Sequence, residues 1–215
     1  MEFLSNYHNW SVYFVVAFPF CAAERKVDVI FVLVGGYSER DSAYTFLSKV
    51  IGRLAPIDGS QGVTGDSTGV RVGLLPSSGP SYTYLSNFNA DSLKDTVELG
   101  YFSTTKGINQ AIQQFSQSRE SAAKIAVFLT DDIPDNDKAA EAFTRAASDA
   151  HEYRITRPTF YAISAIEGDL TEETLLPVLK KLSSPPEMFN YFLAPKKQNI
   201  LILADDVART ICPGE

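Results

Sequence analysis

Two stretches of this chain, Val27–Val34 (VDVIFVLV) and Lys124–Thr130 (KIAVFLT), are apolar almost from end to end and rich in β-branched residues. A strand with one face in water alternates apolar and polar side chains. A run without that alternation belongs to a strand buried on both faces, which in practice means a parallel sheet covered by helices.

The rest of the chain supplies those helices. Ala43, Leu47, Val50, Ile51 and Leu54 recur at helical spacing after the first run, and Ala139, Phe143, Ala146, Ala147 and Ala150 after the second. Two short helical stretches precede the second run, the later one marked by Ile108, Ala111, Ile112 and Phe115. TEETLLPVLKKLSS reads as a helix with acids in its first turn, where the dipole favours them, and with Pro177 tightening or kinking its start. Ile200, Leu203, Ala204, Val207, Ala208 and Ile211 predict one closing helix.

VRVGLL (Val70–Leu75), PTFYAISA (Pro158–Ala165) and the short MFNYFL (Met188–Leu193) complete the strands. SYTYLSNF (Ser81–Phe88) alternates and reads as an antiparallel edge strand hairpinned to VRVGLL. The expected fold is α/β: a doubly wound, mostly parallel sheet with one antiparallel edge and helices on both faces. Ligands of such sheets lie beyond the carboxyl ends of the strands, which singles out the loops Gly35–Arg40, Gly100–Gly107 and Thr130–Asp137.

The 215 residues, 45% hydrophobic, fit one domain, and a net charge of −7 argues against nucleic acid or an anionic membrane as the main partner. Trp10–Phe18 (WSVYFVVAF) is too short to span a bilayer as a helix. Residues 1–23 fit a secretory signal peptide cut after Ala17 or Ala23, although no Lys or Arg precedes the apolar core; the other reading is an N-terminal strand or arm. The domain proper is 24–215. Cys21 and Cys212 lie near opposite ends, and a disulfide between them would tie the termini together in an oxidising compartment. Cleavage after Ala23 would remove Cys21, and two unrelated buried thiols are the other reading.

Several motifs, in order, carry a resemblance to a known family: DVIFVLVGGYS, VRVGLL with its hairpin, TTKGINQAI, AAKIAVFLTDD, LKKLSSPPEMFNYF and VARTICP. From about Val27 onward the chain resembles the von Willebrand factor type A domain. That resemblance implies a metal-ion-dependent adhesion site on the three loops, with Asp-x-Ser-x-Ser in the first, a Thr in the second and the Asp of Thr-Asp-Gly in the third. Mg²⁺ requires an octahedron of oxygens, which hydroxyls, carboxylates, water and an acid of the partner would provide.

Matched position by position, the first Asp falls on Val34, the first Ser on Gly36 and the second Ser on Ser38. The Thr falls on Phe102 without a gap, or on Thr104 after a slip of two residues. Asp131 is kept, followed by Asp132 in place of Gly. Ser38 and Asp131, with or without Thr104, are too few to hold Mg²⁺ in the family manner. The reading is therefore of no cofactor, with weak Mg²⁺ or Ca²⁺ binding left open. Asp131, Asp132, Asp135 and Asp137 do not follow the EF-hand pattern and read as a solvated loop that caps the next helix.

Enzyme motifs are weak. GYSER lacks the second Gly of a nucleophile elbow around Ser38, and His151 is expected at the opposite end of the sheet, as a helix C-terminal cation. The sequence contains no dinucleotide fingerprint, no P-loop and no Cys-x-x-Cys. With the metal set incomplete, recognition falls to aromatic side chains: Tyr37, Tyr101 and Phe102 on the ligand-end loops, Tyr82 and Tyr84 on the expected edge strand. Phe102 also has a packing reading, filling the space of the missing ion beside Tyr37.

The resemblance implies a secreted, non-catalytic adhesion or matrix-interaction module binding an extracellular protein, collagen-like or another matrix component. A self-assembling structural role and a hydrolase built on Ser38 are the alternatives.

Overall fold

The computed structural model describes residues 26–35, 40–54, 69–75, 103–131, 133–134, 136–152, 158–165 and 169–212. Among these residues five strands form one sheet: β1 (Val27–Val34), β2 (Val70–Leu75), β3 (Ala123–Thr130), β4 (Thr159–Ala165) and β5 (Tyr191–Ala194). Their order is β2-β1-β3-β4-β5, and every pairing is parallel. The antiparallel hairpin expected at Ser81–Phe88 lies outside the described residues, and so does the earlier of the two short helices before β3.

Among the described residues five helices cover the sheet: α1 (Arg40–Arg53), α2 (Thr104–Phe115), α3 (Asp137–His151), α4 (Glu172–Leu182) and α5 (Ala204–Ile211). β1 explains why the sheet needs both layers. Val27, Val29, Phe31 and Leu33 face a cluster with Phe46, Leu47 and Val50 of α1 and Val207 and Ile211 of α5. Ile30, Val32 and Val34 face the opposite cluster, with Ile108 and Phe115 of α2, Phe143 of α3 and Leu179 of α4. Alternate side chains point to opposite faces, so an unbroken apolar strand is the one that two helical layers require.

Two sequence expectations shift near the C-terminus. Glu187–Phe189 forms a 3-10 turn, and the last strand begins only at Tyr191. The closing apolar stretch is two pieces, a 3-10 segment Lys197–Leu203 followed by α5. Apolar periodicity placed Ile200 and Val207 correctly in the core but does not distinguish a tighter turn from an α-helix. Pro177 lies inside α4, five residues after its first residue, Glu172, rather than at its start.

The strand order reverses at β1. Its outgoing helix α1 lies on one face and leads to β2, whereas α2, α3 and α4 occupy the other face. The crevice of a doubly wound sheet opens at such a reversal, beyond the carboxyl ends of β1 and β3.

Candidate functional site

The end of β1 is set by Val34, paired in register with Thr130 at the end of β3. Gly35 follows with φ 94°, a left-handed conformation that glycine adopts without strain. Above this corner begins α2. Ser103 occupies its N-cap position without a side-chain capping bond, and Thr104, the first helical residue, is 2% exposed. Asp131 directly follows β3. Val34, Thr104 and Asp131 therefore gather around the carboxyl ends of β1 and β3.

Val34 is wholly buried in the apolar cluster beneath α2. The contact is tight: a methyl group placed on Gly107 would come within 2.9 Å of Val32 Cγ1 and 3.2 Å of Val34 Cγ2. The missing side chain at Gly107 is what lets the first turn of α2 rest on β1.

Beside this corner lies a cavity of about 350 Å³ between the starts of α2 and α3, lined by Ser103, Thr104, Thr105, Ile133, Pro134, Ala139 and Phe143. Hydroxyl groups form one wall and apolar side chains the other. None of these residues ionises, so they offer hydrogen bonds and apolar contact rather than acid–base chemistry. Of this set sequence reasoning named Thr104 as a metal-site candidate, while Ser103, Thr105, Ile133 and Pro134 fall within the two ligand-end loops it singled out. The signal for the others was their position, on either side of two helix starts at the ligand end of the sheet.

The other expected site residues are distributed as follows. Gly36, Tyr37, Ser38, Tyr82, Tyr84, Tyr101, Phe102, Asp132, Asp135 and Cys21 lie outside the described residues. The cap of α3 is Asn136, whose side chain accepts from the Ala139 N–H at 3.0 Å; the acidic residues expected in that role do not fill it. An amide oxygen serves the exposed helical N–H as well as a carboxylate would. His151 ends α3, its Nε2 3.3 Å from the Lys181 carbonyl oxygen and its ring 5.6 Å from that of Phe160. Phe160 lies near the amino end of β4, far from the corner at Val34. Cys212 follows α5, buried, and is not a free thiol. No described helix is long and apolar enough to cross a membrane.

The Mg²⁺ of adhesion sites of this kind can be tested against these residues. Where a carboxylate would face the ion, Val34 presents an isopropyl group already committed to the core. Among the described residues no group of three or more His, Cys, Asp or Glu side chains is placed to hold a metal. Thr104 and Asp131 alone leave most of an octahedron unfilled. The described residues do not fit the ion.

The von Willebrand factor type A family model matches residues 28–201, most of the chain, and the chain belongs to that family. No curated protein sequence matches it significantly. Solved structures share the fold at low identity. The pilus adhesin SpaC from Lactobacillus rhamnosus GG, in its open conformation, has a TM-score of 0.61 at 13% identity, over 89% of this chain and 30% of that one. Proximal thread matrix protein 1 of the mussel byssus has a TM-score of 0.57 at 15% identity, over 89% of this chain and 48% of that one. The vWF domain of the type V pili tip protein Mfa5 from Porphyromonas gingivalis gives 0.60 at 14%, over 88% and 96%. The chain thus spans less than half the length of the first two and nearly all of the isolated third domain.

Proposed function

We propose that this chain is an extracellular protein-interaction module that binds its partner at the carboxyl end of the sheet, without catalysis and without a bound divalent cation. One observation carries the reading: Val34, at the position where the family's first metal-binding Asp belongs, is buried against Gly107 and Ile108 of α2. Recognition then rests on direct side-chain contact. Tyr37, Tyr101 and Phe102, close in sequence to β1 and α2, are the proposed aromatic anchors, and the hydroxyl-lined cavity at Thr104 and Thr105 a polar subsite.

The pilus adhesins and the byssal matrix protein that share the fold support an adhesive or matrix role; the partner we propose is a collagen-like or other matrix protein. The signal-like N-terminal residues support secretion, with cleavage after Ala17 so that Cys21 is retained. We infer that Cys212 pairs with Cys21, since these are the two cysteines of the chain.

Two measurements test this. Calorimetric titration with Mg²⁺ and Mn²⁺ is expected to give no site-specific heat, and the chain is expected to bind immobilised collagen or other matrix proteins equally in EDTA and in Mg²⁺. Tight cation binding that disappears in Asp131→Ala, or matrix binding abolished by EDTA, would replace this reading with a working metal site.

A further inference from the structure

Among the described residues β5 pairs with β4 alone, so its outer side is an edge of the described sheet. The Ala162 N–H donates to the Asn190 carbonyl at 3.0 Å. Backbone groups alternate sides along a strand, so Phe192 and Ala194 also address β4, and the N–H and C=O groups of Tyr191 and Leu193 point outward. Such an edge is a template for another strand.

The surroundings of this edge differ from the rest of the chain in two ways. The exposed large hydrophobics of the described residues are Met188, 70% exposed, and Ile202, 61% exposed. They belong to the two 3-10 segments that precede and follow β5. The charge also reverses. Thr174–Ala204 contains Lys180, Lys181, Lys196 and Lys197 against the single acid Glu187, a local charge of +3 inside a chain of −7. At the end of α4, which packs beside β5, Lys180 is exposed while Lys181 Nζ donates to Thr144 Oγ1 of α3 at 2.8 Å, and exposed Lys196 lies just past the strand's carboxyl end. The nearest acid downstream, Asp205, is turned to Arg53 and Lys49 of α1.

We propose that the outer edge of β5 docks an extended segment of a partner protein, acidic and apolar in composition, as a sixth strand. The backbone of Tyr191 and Leu193 forms the ladder, Met188 and Ile202 offer apolar footholds in the segments before and after the strand, and exposed Lys180 and Lys196 at its two ends select for carboxylates. A second copy of this chain is the wrong occupant, because pairing two such edges would bring like charges together. The proposal rests on the reading of the chain as a protein-binding module and adds a second surface to it, distinct from the corner at Val34.

The test uses the full chain and a short fluorescent peptide of alternating Glu and Val, with a Lys–Val peptide as counterpart, read by anisotropy. The Glu–Val peptide is expected to bind and the Lys–Val peptide not to. Leu193→Pro removes one outward N–H, with Leu193→Ala as the control for its lost packing against the core, and Lys196→Glu reverses one exposed charge without touching the core. Leu193→Pro and Lys196→Glu are each expected to weaken the Glu–Val peptide about tenfold. Amide exchange at Tyr191 and Leu193 is expected to be fast in the free chain and to slow with peptide. No peptide binding, or binding that both substitutions leave unchanged, overturns the proposal. Slow exchange in the free chain also overturns it: if independent of concentration, the chain covers its own edge, and if rising with concentration, a second copy does. Binding to matrix proteins that persists when the peptide fails places the fault with the edge and not with the protein-binding reading.

Discussion

Asp28 and Arg119 form a buried ion pair at the amino end of β1. The Arg119 Nε donates to Asp28 Oδ1 at 2.9 Å, and its backbone N–H to Oδ2 at 2.7 Å. Its Nη2 also donates to the carbonyls of Val27 and Gly69, at 3.1 and 2.8 Å. Arg71 adds two more donors to the same carboxylate, at 3.1 and 3.2 Å. One guanidinium thus joins β1, the entry to β2 and the turn before β3, at the opposite end of the sheet from the binding corner.

A pair of this kind is costly to break from one side, because the remaining charge stays buried without its partner. Asp28→Ala or Arg119→Met is expected to lower stability by roughly 3–5 kcal/mol. Arg71→Ala, whose side chain is partly exposed, should cost about 1 kcal/mol. Urea denaturation followed by far-UV circular dichroism measures both. Equal losses for Arg71 and Arg119 would show that the network does not centre on Arg119.

At the binding corner, Gly107→Ala sets two effects against each other. Alanine gains roughly 1 kcal/mol of helix propensity over glycine. Against this, the added methyl would meet the branched side chains of Val32 and Val34 at 2.9 and 3.2 Å. Those side chains are locked in the core and give way only by moving the helix, a cost of about 1–3 kcal/mol. The net expectation is a loss, read as a lower urea midpoint. Gly52, which has open space around the same position in α1, is the control and should tolerate alanine or gain from it.

The legible parts of this molecule were those governed by a single dominant effect. Burial on two faces wrote itself into VDVIFVLV and KIAVFLT, and with them the parallel core of the sheet. The metal-free reading stays an expectation that rests on Val34, whose side chain lacks the atoms a cation needs. What escaped was decided by partners distant in the chain. Asp28 is the one charge inside that doubly buried strand, and nothing local in the sequence points to its partner Arg119, 91 residues away. The break between the 3-10 segment and α5 was hidden because Ile200 and Val207 satisfy both periodicities.

The helix caps yield a smaller, cleaner expectation. Asn136 accepts from Ala139, and Thr171 and Thr174 form a reciprocal capping box at the start of α4. Asn136→Ala and Thr171→Ala are each expected to cost about 1 kcal/mol, and Asn136→Asp to be near neutral, since either oxygen satisfies the N–H. Thermal or urea unfolding distinguishes them. A loss in Asn136→Asp as large as in Asn136→Ala would mean that the Asn side chain's N–H₂ group, and not its oxygen, holds the loop after β3.

Asp205 joins α5 to α1 across the other face of the sheet, with Arg53 Nε at 3.0 Å and Lys49 Nζ at 3.7 Å. All three side chains are about a third exposed, so water and salt screen the attraction, and holding long side chains in place opposes it. Asp205→Asn is therefore expected to cost less than about 1 kcal/mol in low salt and nothing measurable in 1 M NaCl. The ranking matters more than the value. Asp28 and Asp205 are both carboxylates bridging two cations, and only burial separates them. A double-mutant cycle for Asp205 with Arg53, run beside one for Asp28 with Arg119, should return a coupling several times larger for the buried pair and dependent on salt only for the exposed one.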